Sequence, residues 1–152
     1  MKVAKQKQIT VAVSGGFDPM HIGHARMFEE ARKLGDRLVV ILNNDNWLRK
    51  KKGYVFMPQQ ERAELLKHLR WVDEVVITKH KKNPTDMSVC AELAKLKPDI
   101  FANGGDRKKG NVPEDVVCKK FGIKMAFNVG HGGKVQSSSW LVDKSKKQII
   151  KK

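Results

Sequence analysis

Residues 13–24 read VSGGFDPMHIGH, and this stretch decides the fold. Just before and into it, Ile9, Val11 and Val13 alternate with Thr10, Ala12 and Ser14, the period-two pattern of a half-buried strand. The strand ends at Gly15-Gly16, and a helical run opens at His21-Ile22-Gly23-His24. Glycines let the backbone bend tightly and let a ligand come close. A helix start offers unpaired N–H groups and the positive end of a dipole, a natural seat for phosphate. His21 and His24 are three residues apart, so both face one side of the first turn. There they can donate hydrogen bonds to phosphate oxygens, or be satisfied locally as helix caps.

The totals set bounds around this motif. A chain of 152 residues is the size of one ordinary domain, and 40% hydrophobic content suffices for a core. The net charge is +15, which favours polyanionic partners: nucleotides, nucleic acid or an anionic membrane. No stretch approaches the roughly 20 apolar residues of a membrane span. No apolar segment of a secretory signal follows the start. Cys90 and Cys118 have neither CxxC nor metal-ligand spacing, so they read as buried and reduced, and the protein as cytoplasmic with no metal site of its own.

Along the chain, residues 1–8 form a short basic tail. Residues 22–34 read as a helix with an apolar stripe of Met27, Ala31 and Leu34, Phe28 beside it, and Gly35 at its stop. Residues 37–43 read as a buried parallel strand. A polar, basic loop is expected from Asn44 to Met57. Pro58 opens a second helix with Leu65, Leu66 and Leu69 as its apolar face. Residues 71–77 read as strand three, 85–96 as a helix, and 99–102 as strand four, which ends at Asn103-Gly104-Gly105-Asp106. A helix from Pro113 to Phe121, a strand over 123–129 and a last helix after the serines 137–139 complete the pattern. Alternating strands and helices imply an open parallel α/β sheet of five strands flanked by helices. Ligands in such sheets bind at the carboxyl ends of the strands. Gly15-Gly16, the 44–57 loop, Gly104-Gly105-Asp106 and the Gly130–Gly133 turn with its serines should therefore converge.

The strand, glycine turn and HIGH helix start resemble the HxGH signature of the nucleotidyltransferase superfamily, which includes cytidylyltransferases and small adenylyltransferases. The resemblance covers about residues 9–145 and implies a single Rossmann-like nucleotidyltransferase domain over 9–145, with 146–152 as a basic C-terminal tail. It implies that His21 and His24 hold phosphates and stabilise developing charge. Gly15, Gly16 and Phe17 then approach the nucleotide, and Asp18 orients the site or the acceptor. The family's Lys-Gly step and the arginine opening the next helix map onto Lys52-Gly53 and Glu61-Arg62. Lys52 thus becomes a catalytic cation for the leaving phosphates, and Arg62 a nucleotide-binding residue. Gly104, Gly105 and Asp106 correspond to a Gly-rich, Asp-containing turn near nucleotide and acceptor. Ser137, Ser138 and Ser139 correspond to the family's ISTT-type phosphate-binding helix start, although Gln136 and three serines replace Ile-Ser-Thr-Thr. The lead-in Gly132-Gly133-Lys134-Val135 lacks the arginine of glycerol-phosphate cytidylyltransferases. The sugar-phosphate adenylyltransferases of ADP-heptose synthesis lack it as well.

The implied reaction is transfer of a nucleoside monophosphate from an NTP, either ATP or CTP, to a small phosphorylated acceptor such as a sugar phosphate. Pyrophosphate is released, and Mg²⁺ accompanies the NTP. A CTP-specific enzyme acting on glycerol 3-phosphate or a phosphoalcohol is the nearest alternative. A class I aminoacyl-tRNA synthetase also carries a HIGH sequence, but this chain is too short and has no KMSKS-like loop. A basic nucleic-acid-binding protein on a relict fold is the alternative of another class. The scattered basic residues, without interleaved aromatics, do not favour nucleic acid as partner. Family membership also suggests a homodimer.

Overall fold

The chain alternates strands and helices: β1 (Thr10–Gly15), α1 (Ile22–Arg32), β2 (Arg37–Leu42), α2 (Asp45–Lys52), α3 (Gln59–Lys67), β3 (Glu74–Ile77), α4 (Cys90–Leu96), β4 (Ile100–Ala102), α5 (Asp115–Phe121), β5 (Lys124–Ala126) and α6 (Ser138–Ile150). This is a computed structural model, and it describes residues 3–105, 107, 110, 112–132 and 134–150. The five strands pair in the order β3-β2-β1-β4-β5. Every pairing is parallel, with Val13 opposite Val40 on one side of β1 and Ala12 opposite Phe101 on the other. The sheet order reverses between β1 and β4. That makes a crevice at the carboxyl ends of these two strands the expected ligand site.

Strand side chains divide between two cores, as parallel sheets covered on both faces require. Val11, Val13, Leu38, Val40 and Leu42 pack against Phe28 and Ala31 of α1 and Ala63 and Leu66 of α3. Ala12, Ile41 and Phe101 pack on the other face with Leu93 of α4 and Cys118 of α5.

Several boundaries differ from the sequence expectation, each for a local reason. The 44–57 stretch is not a loop throughout, because α2 occupies residues 45–52. The Asn44 side chain accepts from Trp47 N–H at its start, and Gly53 closes it in the left-handed conformation at φ 83°. Its last turn carries Arg49, Lys50, Lys51 and Lys52, cations placed favourably at the negative end of the dipole. Strand three begins at Glu74, not Trp71, since the Asp73 carboxylate accepts the Leu38 N–H at 2.8 Å and ends the ladder there. The helix after it starts at Cys90, because Asp86 bonds both Ser88 N–H and Ser88 Oγ and holds a turn. Strand five is limited to residues 124–126. Helix α1 stops at Arg32, leaving Leu34 42% exposed beyond its buried Phe28 and Ala31. In α3 the buried positions are Arg62, Ala63 and Leu66, with Leu65 exposed.

Arg62 shifts that face because it fills a core position itself. It is 2% exposed, and its Nε donates to Met57 O at 2.8 Å. Its Nη1 donates to Gly16 O at 2.8 Å and Asn43 O at 2.7 Å, and its Nη2 pairs with Asp45 at 2.7 Å. One guanidinium thus joins the turn after β1, the end of β2, the start of α2 and the loop before α3. Breaking a buried pair from one side leaves the other partner uncompensated, at a cost of about 3–5 kcal/mol. Arg62→Ala should lose stability of that order in urea denaturation at pH 7. A loss below about 1 kcal/mol would contradict the cross-linking role.

Candidate active site

The crevice at the β1–β4 reversal is a cavity of about 370 Å³. Ser14 and Gly15 form its floor with Ala102, Asn103, Gly104 and Gly105. Its walls are His21, His24 and Met27 of α1, Lys52 at the end of α2, the segment 128–131, and residues 134–139 leading into α6. Two close approaches need glycine. A Cβ on Gly15 would lie 2.8 Å from the Phe17 ring, and one on Gly104 would lie 2.8 Å from Met27 Sδ and 3.1 Å from Val129 O.

The histidine pair is built by a capping arrangement. His21 is the N-cap of α1, and its Nδ1 accepts the Gly23 N–H at 3.1 Å. His24 Nδ1 accepts the His21 N–H at 3.2 Å. The two rings stack with centroids 3.7 Å apart, and the Phe17 ring packs edge-on against His24 at 4.8 Å. Each Nδ1 is therefore an acceptor, which puts the proton of the neutral ring on Nε2. Local capping and outward donation are not alternatives here, since they use different nitrogens. Burial, with Lys52 nearby, holds His21 below the usual histidine value. Burial, the neighbouring His21 and Lys52 push His24 down to about 3. Burial also lowers Lys52, opposed by Asp18 and reinforced by Arg62, while its Nζ donates to Asp18 O at 3.3 Å.

Other anticipated site residues fall into three groups. Lys52, Gly15, Phe17, Gly104, Gly105, Ser137, Ser138 and Ser139 line the same cavity as the histidines. Phe17 is 5% exposed, so its ring chiefly backs His24. Ser138 Oγ donates to Pro19 O at 2.7 Å and ties α6 to the motif loop, which leaves Ser137 and Ser139 as the hydroxyls without that commitment. Gly16, Asp18 and Arg62 are not among the lining residues. Asp18 is fully buried, and its carboxylate accepts from Phe56 N–H and Met57 N–H, both at 2.7 Å. Arg62 is committed to the four bonds described above. Asp106 lies outside the described residues.

Other polar and sulfur-bearing side chains lie outside the cavity lining. The Trp47 indole N–H donates to Met87 O at 2.8 Å, so this ring anchors α2. Both ring nitrogens of His80 are hydrogen-bonded, to Thr78 Oγ1 and Ser88 O. Cys118 is buried but Cys90 only half so, and both are free thiols. Among lining residues that the motifs do not single out are Met27, Asn103, Arg107, Asn128 and Gln136. Arg107 follows the Gly104-Gly105 turn closely, and that position is the one sequence signal for it.

The lowered His24 value has a consequence for stability. Above the unfolded value near 6.5 both states are neutral, and this group favours neither. Below it the unfolded chain takes a proton that folded His24 refuses, so stability falls with pH down toward 3. At pH 5 the loss from this group should be about 2 kcal/mol. Comparing urea midpoints at pH 7.5 and pH 5 checks it, with His24→Gln, which keeps a capping acceptor, showing a clearly smaller drop. Equal drops in both proteins would reject a buried neutral His24.

Residues 12–122 match the family described as Cytidylyltransferase-like. The FAD synthase of Pyrococcus horikoshii is 39% identical over 106 residues, which is 69% of this chain and 68% of that protein. The bifunctional protein HldE of Pelobacter propionicus is 36% identical over 151 residues, 98% of this chain and 28% of that protein. The crystal structure of a lipopolysaccharide core biosynthesis protein from Thermoplasma volcanium aligns with a TM-score of 0.65 at 28% identity, over 80% of this chain and 94% of that one. The family match runs from β1 through the turn after α5 and takes in both sides of the switch point, so the chain belongs to the cytidylyltransferase-like family of nucleotidyltransferases.

Proposed function

We propose that the chain transfers AMP from ATP to a small phosphorylated acceptor in the cytoplasm, using His21, His24 and Lys52 on the phosphates. The observation that carries this is the tautomer lock: two neutral imidazoles whose Nδ1 atoms are occupied and whose Nε2–H groups remain to serve an anion at the α1 N-terminus. Similarity to FAD synthases, whose product contains an adenylate, supports ATP over CTP. Two free thiols fit a reducing compartment.

A phosphate monoester is already anionic at neutral pH, so its oxygen attacks the α-phosphorus without a strong general base. Charge then builds on the α-phosphoryl oxygens and the leaving pyrophosphate. Fixed donors aimed at that charge lower the barrier without reorganising. His24 Nε2–H and His21 Nε2–H stabilise the reacting phosphates, and the Lys52 ammonium meets the β and γ groups. Ser137, Ser139 and the α6 N-terminus bind the same polyanion. An arriving triphosphate also favours the cationic form of Lys52, offsetting the effect of burial.

Mg²⁺ belongs to the substrate in this reading. Among the described residues no group of three His, Cys, Asp or Glu side chains is placed to hold a metal, and no described lining residue is acidic. Mg²⁺ prefers oxygen ligands and is commonly carried by substrate phosphates.

Two measurements test the reading. Saturating Mg-ATP should raise the melting temperature, since ligand at 100 Kd adds about 2.7 kcal/mol. Pyrophosphate release should then depend on a phosphorylated acceptor from a panel of FMN, sugar phosphates and glycerol 3-phosphate. If CTP alone served, the adenylyl assignment would give way to cytidylyl transfer. If none of the four NTPs shifted the melting curve, the site assignment itself would fail. His24→Ala should cut turnover about 10²–10³-fold, the usual cost of one charge-stabilising donor. A folded variant with near-normal turnover would remove His24 from the mechanism.

A further inference from the structure

The nucleotidyl-transfer reading accounts for Lys52 on the β2 side of the crevice, and leaves Arg107 and Lys134, which also line it, without a role. Arg107 lines the cavity just beyond the Gly104-Gly105 turn, and its side chain is 48% exposed. Behind it lies Glu114, a carboxylate only 3% exposed. Glu114 Oε1 accepts the buried Val89 N–H at 3.0 Å. Its Oε2 has no hydrogen-bond partner among the described residues, and the Arg107 Nη1 stands 3.9 Å away. A buried carboxylate oxygen left idle is costly and calls for an explanation. The separation is too long for a hydrogen bond but within ion-pair reach, with solvent screening the exposed arginine end. Arg107 thus combines a half-exposed side chain at the cavity with a buried carboxylate 3.9 Å from its Nη1.

We propose that Arg107 binds the phosphate of the acceptor and that Glu114 is its positioning residue. This rests on the nucleotidyl-transfer reading and assigns the half of the site that reading leaves open. In an in-line displacement, nucleophile and leaving group lie on opposite sides of the α-phosphorus. An acceptor phosphate oxygen forms the new bond to that phosphorus. The bond from phosphorus to the oxygen bridging the β-phosphate breaks, and its electron pair departs on pyrophosphate. With the leaving phosphates drawn toward Lys52 on the β2 side, the acceptor enters from the β4 side, where Arg107 stands. Two phosphates brought together repel each other, and a guanidinium can grip one in a bidentate fork while neutralising it. Glu114 supplies what a half-exposed arginine lacks, a fixed point that restricts where the fork points.

The test uses the full chain saturated with a non-hydrolysable ATP or CTP analogue and Mg²⁺, with inorganic phosphate as the acceptor probe. Wild type should bind phosphate, and Arg107→Ala should weaken that binding about 10- to 100-fold, the usual worth of a charged hydrogen bond. Affinity for the analogue should change less than about threefold. Arg107→Lys should recover part of the phosphate affinity. Glu114→Gln keeps the shape and the Val89 acceptor but drops the charge, and should weaken phosphate severalfold without weakening the analogue. With the acceptor from the panel that turns over fastest, Arg107→Ala should raise the acceptor KM and leave the ATP KM in place. Unchanged phosphate affinity in Arg107→Ala, equal weakening of analogue and phosphate, or analogue binding without phosphate binding in wild type would each overturn the proposal. If Glu114→Gln did not fold, the two Arg107 variants would still decide the binding claim. Failure of wild type to bind either analogue would instead sink the nucleotidyl-transfer reading.

Discussion

One guanidinium holds the candidate-site side of this molecule together. Arg62 donates to backbone oxygens at Gly16, Asn43 and Met57 and pairs with Asp45, so the turn after β1, the end of β2, α2 and the loop before α3 share one buried hub. Asp18 supplies the complementary anion, taking the N–H groups of Phe56 and Met57. Residues 56 and 57 are therefore gripped from both sides, by an acid through their N–H groups and by a base through a carbonyl. A buried charge of this kind is tolerable only because each of its three nitrogens has a partner. The position of Lys52 follows, since the helix that carries it starts at Asp45, one of Arg62's partners.

The histidine pair depends on the same economy of atoms. A helix N-terminus leaves N–H groups that need acceptors, and the Nδ1 atoms of His21 and His24 provide two. Serine or aspartate would cap equally well but would leave no second donor. Imidazole has two nitrogens on opposite edges, so one can secure the backbone while the other faces a ligand. Low proton affinity adds to this arrangement. A neutral ring with a fixed tautomer is a donor whose direction is set before substrate arrives.

Most of the sheet is legible in the sequence because its strands are short apolar runs bounded by glycines and polar turns, and the switch point follows from their parallel order. Helix α2 is hidden by its own charges: four cations in a row read as a loop, although Asn44 and Gly53 are a readable pair of caps. Arg62 and Asp18 are assigned to ligands by motif position, whereas their side chains face inward. Nothing local distinguishes these directions, because the atoms they satisfy come from Gly16, Asn43, Phe56 and Met57, up to 46 residues away in sequence. His21, His24 and Lys52 are easier to place, since a turn at the carboxyl end of a parallel strand can open only onto one edge. Arg107 and Glu114 lie at the opposite extreme. Their relation depends on Val89, on a different element, consuming one oxygen of the carboxylate.

The bond from Ser138 Oγ to Pro19 O spans 119 residues. Every other wall of the crevice comes from chain that precedes α6. In synthesis order, the sheet, the histidine cap and the Arg62 hub can all assemble while the serine helix is still to be made. Closing such a long loop is slow relative to local helix and strand formation, because the entropy of bringing distant ends together precedes any reward from contact. The crevice is thus walled on every side only once the last-made helix docks on the loop after β1.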